Sequence, residues 1–206
     1  MSLLVLWINR LNRWWGTLAA WLCLLLILLT AEQVISRYLF ESSSIALQEL
    51  EWHLFGALFL LACPYTLQKN GHVRIDLLYG RFSEKTQALI DTLGILFLLL
   101  PVSVLLVYYG VLYTDLALDV TNTRAIDYYT ASYFDKNGTL YSLFSPLEHF
   151  LRQYVLVGEI SPDPGGLEAR WIIKALIPFS FFFMLLQGLA LLIEKIAVLI
   201  GKQGAA

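Results

Sequence analysis

Four long runs of apolar residues dominate the pattern of the chain. They cover about residues 14–38, 46–68, 89–115 and 171–195. Each run is long enough to cross a bilayer core of about 30 Å, which takes roughly 20 helical residues. None of them alternates apolar and polar residues as the strands of a membrane β-barrel do. Because a helix satisfies its own backbone groups in lipid, the pattern predicts four transmembrane helices.

The first run resembles a secretory signal peptide in one respect, since Arg10 and Arg13 precede it. Its apolar stretch is too long for a signal peptide, and Thr30-Ala31-Glu32 is a poor cleavage site. We therefore expect a retained helix.

The segment before the first run has an amphipathic pattern. A helix over residues 3–15 would group its large apolar residues on one face and its polar residues elsewhere: Leu4, Trp7, Leu11 and Trp14 against Asn9, Arg10, Asn12 and Arg13. This pattern suits either an interfacial helix lying among the headgroups or an N-terminal continuation of the first span. The loop over residues 71–87 also mixes apolar and charged residues as a surface-lying segment does, and Ser83 can cap the third helix.

The external insert over residues 116–170 is too long to be a plain connection. Residues 136–138 (Lys-Asn-Gly) are typical of a hairpin turn, and residues 145–148 (Ser-Pro-Leu-Glu) form a capping box. The helix that this box opens should end at Gly158 and lie on the membrane or on a partner. Residues 163–166 (Asp-Pro-Gly-Gly) predict a turn before the fourth span.

Composition supports a membrane protein. The chain of 206 residues is 58% apolar and 15% charged, against roughly 45–50% and 25% in ordinary soluble domains. The formal net charge of −2 gives no reason to expect a nucleic-acid partner, and Cys23 and Cys63 lie too far apart for a CxxC motif. The predicted fold is an all-α integral membrane protein: a single membrane domain over residues 1–206 with four transmembrane helices, interfacial helices and a long external loop.

Charge in the loops predicts the orientation. Residues 1–13, 69–88 and 195–206 contain eight Lys and Arg residues and two acids, whereas residues 38–45 and 116–170 contain four basic residues and eight acids. Positive loops stay in the cytoplasm. Both termini are therefore predicted to be cytoplasmic and the insert external.

Charged residues near the ends of spans are the first candidates for function, because charge at membrane depth is costly. Arg37 ends the first span, and Glu49 and Glu51 begin the second. Glu49 shares a helical face with His53. These residues suit two interpretations. One is an ion or substrate site, and the other is a pairing of Arg37 with Glu49 or Glu51 that fixes the geometry of the helical hairpin formed by the first two spans. The pairing is favoured.

The centres of the third and fourth spans are almost without polar residues. Ser103 and Gln187 are the exceptions, and Pro101 predicts a kink. Arg170 and Lys174, one helical turn apart, are expected to contact headgroups or a partner's acids.

A single intramembrane histidine excludes bis-histidine haem, and no nucleophile or phosphate-binding motif is present. Such a chain is typical of a subunit of a larger complex rather than an enzyme.

Four short stretches of the sequence resemble those of one protein family. They are residues 34–40 (VISRYLF), 48–50 (QEL), 71–76 (GHVRID, with His72, Arg74 and Asp76) and 164–178 (PGGLEARWIIKALIP) followed by 186–189 (LQGL). Over residues 5–115 and 160–197 the chain resembles the small membrane subunit of TRAP transporters, the DctQ family. Residues 116–160 make a longer insert than the compact members have.

The resemblance implies a tripartite transporter of the bacterial inner membrane. A periplasmic binding protein would deliver an organic solute, expected to contain a carboxylate, to a large permease that moves it by an elevator-like motion coupled to sodium. The small subunit would pack beside the permease, at 1:1, as a static scaffold in contact with lipids. It would need no cofactor, since sodium would bind the large subunit. The acidic, Tyr-rich insert would contact the binding protein or the permease rim. A membrane anchor of a redox complex and an autonomous small transporter are the alternatives.

Overall fold

The computed structural model of the chain describes residues 3–69, 79–119 and 139–201. Within these ranges the secondary structure is helical, with no strand. Five helices have both bounds within the described residues: α1 (Leu3–Leu39), α2 (Ile45–Gln68), α3 (Glu84–Leu118), α4 (Thr139–Phe150) and α5 (Trp171–Leu199). We call the end of the bundle where α1 passes to α2 the insert end, because residues 119–170 join α3 to α5 there. The opposite end is the terminus end.

Four of the helices, α1, α2, α3 and α5, are long and apolar enough to cross a membrane. This confirms the predicted all-α multi-pass membrane protein. The four predicted runs lie inside these helices, and α1 and α3 extend well beyond them. The helices are longer than the apolar runs because polar residues at their ends can continue a helix outside the hydrocarbon region.

The N-terminal residues continue the first span. Residues 3–15 belong to α1 without a break, so of the two alternatives the continuation of the first span is the one observed. Val5 and Ile8 are buried together with Ala190 of α5, whereas Trp7 and Trp14 are exposed. The face that carries Leu4, Trp7, Leu11 and Trp14 therefore points away from the bundle. In a membrane an apolar face can remain on the outside, and polar residues such as Asn12 can turn inward.

The third span contains an irregular turn. Ser83 caps α3 as predicted, accepting a hydrogen bond from the Thr86 backbone N at 3.3 Å. The helix is α-helical over Glu84–Gly94, π-helical over Ile95–Leu99 and α-helical again over Leu100–Leu118. The π segment ends just before Pro101, where the sequence predicts a kink. Proline has no N–H to donate, and a widened turn is one way in which a helix accommodates it.

The fourth span, α5, is the centre of the bundle. It packs against α1, α2 and α3, and α3 has its main contacts with α5. The buried residues of α3 between its π segment and its end are small and seven positions apart: Ser103, Gly110 and Ala117. Small residues on one face let two helix backbones approach closely in lipid. At Gly110 the approach is so close that an added Cβ would lie 2.9 Å from Cδ of Pro178.

The helix of the insert differs from its prediction. It begins at Thr139 rather than at a cap on Ser145, so Pro146 lies inside it, and a π-helical turn over Leu151–Val155 ends it. The apolar spacing of the later turns continues upstream through Leu140, Leu143 and Phe144, and this favours a longer helix over the capping box. The helical run stops before Gly158, which has a φ of +75°. The hairpin predicted at residues 136–138 lies outside the described residues.

Candidate functional site

The insert returns to the bundle through residues 156–170, which lie across the insert end. The backbone N of Glu159 donates to the carbonyl of Ala117 at 2.8 Å, and this bond ties the segment to the end of α3. Arg170 N donates to Glu159 O at 3.0 Å, and Ser161 N donates to Leu167 O at 2.9 Å. The segment is thus folded on itself and fixed to a transmembrane helix.

The predicted turn at residues 163–166 is confirmed. Gly166 N donates to Asp163 O at 3.0 Å, and Gly165 has a φ of +79°. Pro at the second position and Gly at the third, with positive φ, are the signature of a type II turn. The turn directs Leu167 back toward the start of α2.

Glu49 of α2 holds this segment with both carboxylate oxygens. Its Oε1 accepts from the Ser161 hydroxyl at 2.5 Å, and its Oε2 accepts from the Leu167 backbone N at 2.6 Å. The positive charge of Arg170 also attracts the carboxylate. Hydrogen bonds to an ionised acceptor are about twice as strong as neutral ones. We call the arrangement of Glu49, Ser161 and the Leu167 N–H the Glu49 clamp.

The predicted pairing of Arg37 with Glu49 or Glu51 is wrong. Arg37 is exposed at the end of α1 and forms no ion pair with either acid, all three residues being described. The reason is that the returning insert supplies closer donors and occupies the Glu49 carboxylate. Glu51 has a buried Oε1 without a hydrogen-bond partner. His53 points its Nδ1 at the Glu49 backbone carbonyl, 2.6 Å away.

Lys174 makes a second attachment at the insert end. Its ammonium forms an ion pair with Glu159 and lies 4.2 Å from the ring centre of Tyr113 in α3. Both contacts lie inside the chain, and the expected contact of Arg170 and Lys174 with headgroups or with a partner's acids stays a prediction. Lys174 joins α5, α3 and the returning segment, and it reinforces the Glu49 clamp.

A buried polar network links α1 to α5 near the terminus end. Asn12, which is fully buried, donates through Nδ2 to Oε1 of Gln187 at 2.6 Å. Gln187 is 1% exposed and donates through Nε2 to Oδ1 of Asn9 at 3.1 Å. The sequence identifies Gln187 as unusual but gives no sign of its partners, which are more than 170 residues away along the chain.

This network yields a stability prediction. Replacing Gln187 with leucine should lower the free energy of unfolding by about 0.5–2 kcal/mol, because interhelical hydrogen bonds in membranes contribute about that much. Denaturant titration in detergent measures the change. Asn12→Leu combined with Gln187→Leu should cost less than the two single changes added together, since the pair is lost only once. Strict additivity of the two changes would contradict the network.

A second polar contact also lies near the terminus end. Lys195 Nζ of α5 lies 2.6 Å from Oδ2 of Asp91 in α3, and the Tyr79 hydroxyl donates to the same oxygen at 2.8 Å. Sequence reasoning missed this cluster because its members lie on three separate segments. His72, Arg74 and Asp76 lie outside the described residues. Among the residues that the structure does describe, no group of three His, Cys, Asp or Glu side chains could hold a metal ion.

These contacts share one property: each fastens one helix or segment of the chain to another. Together with the four spans, they define a small, all-α, multi-pass membrane protein with polar contacts that hold its own helices together.

The model of one family, the DctQ component of the tripartite ATP-independent periplasmic transporters, matches residues 26–132, just over half of the chain. The protein belongs to this family and is thus a transporter component, as its resemblance to the small TRAP subunit implies. The matched range contains the strings at residues 34–40, 48–50 and 71–76, whereas the strings in and before α5 lie outside it. Searches of curated proteins and of solved structures gave no significant match.

Proposed function

We propose that this protein is the small scaffold subunit of a TRAP transporter in the bacterial inner membrane. It would stand 1:1 beside a large permease that performs sodium-coupled uptake of an organic, carboxylate-containing solute. A periplasmic binding protein would deliver the solute. The observation that carries the proposal is the DctQ family match, which falls on a bundle of membrane helices.

The contacts of the described polar residues suit a supporting role. Gln187 and Asn12 bond to each other, Lys195 bonds to Asp91, and Glu49 bonds to the returning insert. A transport site inside one chain is typically built from interrupted helices with polar groups that face a cavity. Polar groups that hold helices together suit a rigid supporting structure instead of a transport site. Sodium and solute would then bind in the permease, with no cofactor on this chain.

The proposed orientation places both termini in the cytoplasm. The described Lys and Arg residues of the terminus end support it: Arg10, Arg13, Lys69, Arg81, Lys85 and Lys195. Positive residues flanking membrane spans are retained in the cytoplasm. The insert end would then face the periplasm and the binding protein.

The attachment of residues 156–170 suggests how the insert would meet the binding protein. The Glu49 clamp and Lys174 hold this segment against three spans, and it follows directly on α4 and its π turn, where Leu147, Phe150 and Tyr154 are exposed. An insert anchored in this way loses less entropy on binding than a free loop would. We propose that it forms part of the docking surface for the binding protein or for the permease rim.

Co-expression with the neighbouring genes tests the proposal. The tagged chain, purified in mild detergent, should recover a much larger multi-span permease in equal amount. The reconstituted pair should take up solute only with the binding protein and a sodium gradient. Recovery of this chain alone, or uptake by this chain alone in liposomes, would overturn the proposal.

A further inference from the structure

Three buried polar atoms near the terminus end have no hydrogen-bond partner among the described residues. They are Oδ1 of Asn12 and Nε1 of Trp15 in α1, and Oε1 of Gln68 in α2. Asn12 is fully buried, and its amide nitrogen is already used as the donor to Gln187. Buried polar atoms in proteins are nearly always satisfied, by protein or by ordered water. Three such atoms in one part of the bundle therefore indicate a shared partner.

The first two of these atoms lie between α1 and α5. Asn12 bonds to Gln187 of α5, and the ring of Trp15 lies 5.4 Å from the ring of Phe183, one helical turn earlier on α5. Side chains three positions apart on a helix are neighbours, with Cβ atoms about 5–6 Å apart. The Asn12 oxygen and the Trp15 N–H are thus side by side on one face of α1, but they do not bond to each other.

Gln68 lies at the same level, on the inner face of α2. It follows the buried Leu61 by seven residues, which is two helical turns. Gly16 of α1 lies against Tyr65 of α2, so closely that an added Cβ would be 2.5 Å from Cγ of the tyrosine. Because α1 and α2 run in opposite directions, Gln68, three residues after Tyr65, is level with residues 12–13 of α1.

The contact between α2 and α5 gives the same level. The Ser180 hydroxyl of α5 donates to the Leu60 carbonyl of α2 at 2.5 Å. These two helices run in the same direction, so Gln187, which is buried seven residues after Ser180, is level with residue 67 and lies beside Gln68. Three helices therefore meet here, and we call Asn12, Trp15, Gln68 and Gln187 the polar junction.

The unpartnered atoms of the polar junction define the chemistry of what can bind there. They are one donor, the Trp15 N–H, and two acceptors, the oxygens of Asn12 and Gln68. A water molecule can accept one hydrogen bond and donate two, so it satisfies all three atoms. A metal cation would be repelled by the indole hydrogen, and two amide oxygens are far fewer than the six or so ligands that Mg²⁺ or Ca²⁺ takes.

We propose that the polar junction binds one water molecule, which accepts from Trp15 and donates to Asn12 and Gln68. About three hydrogen bonds to otherwise unsatisfied groups are typical of a buried water. The junction lies where the apolar run of α1 begins, beside the exposed Arg13 and Lys69, so that water can enter from the headgroup region. The bound water joins α1 to α2 and completes the contacts that hold both helices to α5. This proposal does not depend on the transporter role.

Nuclear magnetic resonance of the full chain in detergent micelles tests the proposal. With isotope-labelled tryptophan, the indole signal of Trp15 is assigned by its loss in Trp15→Phe. We expect a cross-peak between this indole hydrogen and water whose sign reverses between NOE and ROE spectra, as a bound water gives. Chemical exchange of the indole hydrogen would instead give the same sign in both. In Asn12→Leu combined with Gln68→Met the cross-peak should disappear, while the signal of Trp171, which donates to the Val155 carbonyl, keeps its position.

Three results of this experiment would overturn the proposal. The first is the absence of a sign-reversing water cross-peak in the unmodified chain, or its survival in the double variant. The second is a cross-peak to detergent or lipid headgroup hydrogens in place of water. The third is a Trp15 signal that moves with sodium concentration at constant ionic strength, which would indicate a cation.

A double-mutant cycle gives an independent measurement. Trp15→Phe removes the donor and Gln68→Met removes one acceptor, each with little change of shape. Each should raise the unfolding equilibrium constant in denaturant titration about two- to tenfold. Together they should raise it by less than the product of the two effects, because the same water is lost only once.

Trp21→Phe is the matched control for the cycle, since it is the same substitution at an exposed tryptophan of α1. Its effect should multiply with that of Gln68→Met. If the effects of Trp15→Phe and Gln68→Met multiply in the same way, no water links these two side chains and the proposal is overturned.

Discussion

Glu49→Gln should release the returning segment of the insert from the bundle. The amide keeps the shape of the side chain but replaces one acceptor oxygen with a donor, so that Ser161 or the Leu167 N–H loses its partner. Removing one hydrogen bond to a charged group costs about 1–3 kcal/mol, which would raise the open fraction of the segment roughly five- to hundredfold. The rate of tryptic cleavage after Arg170 in detergent measures this opening.

Glu51→Gln is the matched control for this experiment. Glu51 lies two residues away on the same helix and has a buried Oε1 without a hydrogen-bond partner. Its neutralisation should leave the cleavage rate unchanged. If both variants are cut at the same rate as the unmodified protein, the Glu49 clamp does not hold the segment.

Gly110→Ala should destabilise the packing of α3 on α5. The new Cβ would lie 2.9 Å from Cδ and 3.1 Å from the backbone N of Pro178. A proline ring and a backbone atom cannot rotate away, so the two helices would have to separate. Overpacking of this kind typically costs about 1–3 kcal/mol, measurable by denaturant titration in detergent.

Gly94→Ala is the corresponding control in the same span. An added Cβ at Gly94 would meet no atom within 4 Å. Alanine is favoured over glycine inside helices by about 1 kcal/mol, so this variant should be as stable as the original or more stable. A loss of stability at Gly94 as large as that at Gly110 would mean that the close approach of Gly110 to Pro178 does not decide the effect.

The four spans could be predicted from the sequence because each one is an apolar run of the length that a bilayer requires. The Ser83 cap and the turn at residues 163–166 could also be predicted from the sequence, since each depends on neighbouring residues alone. The family resemblance rested on four strings, of which those at residues 34–40, 48–50 and 71–76 fall within the matched range and the one before and in α5 does not. All of these signals are local.

The polar contacts could not be predicted in the same way. Glu49 is hydrogen-bonded to Ser161 and Leu167, which lie more than 110 residues further along the chain. Asn12 is hydrogen-bonded to Gln187, at a separation of 175 residues. No periodicity encodes such pairings; they depend on how the helices are arranged. The prediction for Arg37 failed for this reason, because it considered only the charges nearest in sequence. The predicted start of α4 at the Ser145 capping box was wrong because the apolar stripe of this helix extends further upstream, and the helix begins at Thr139.

The central place of α5 has a consequence for biogenesis. The α1–α2 hairpin can close as soon as both helices have left the ribosome, because these two pack against each other. The third span has its main contacts with α5, which follows it in the chain after the whole insert. During synthesis α3 must therefore wait in the lipid, or beside an insertase, until α5 arrives. The contacts that hold the third span in the bundle therefore become complete only when the last helix has been made.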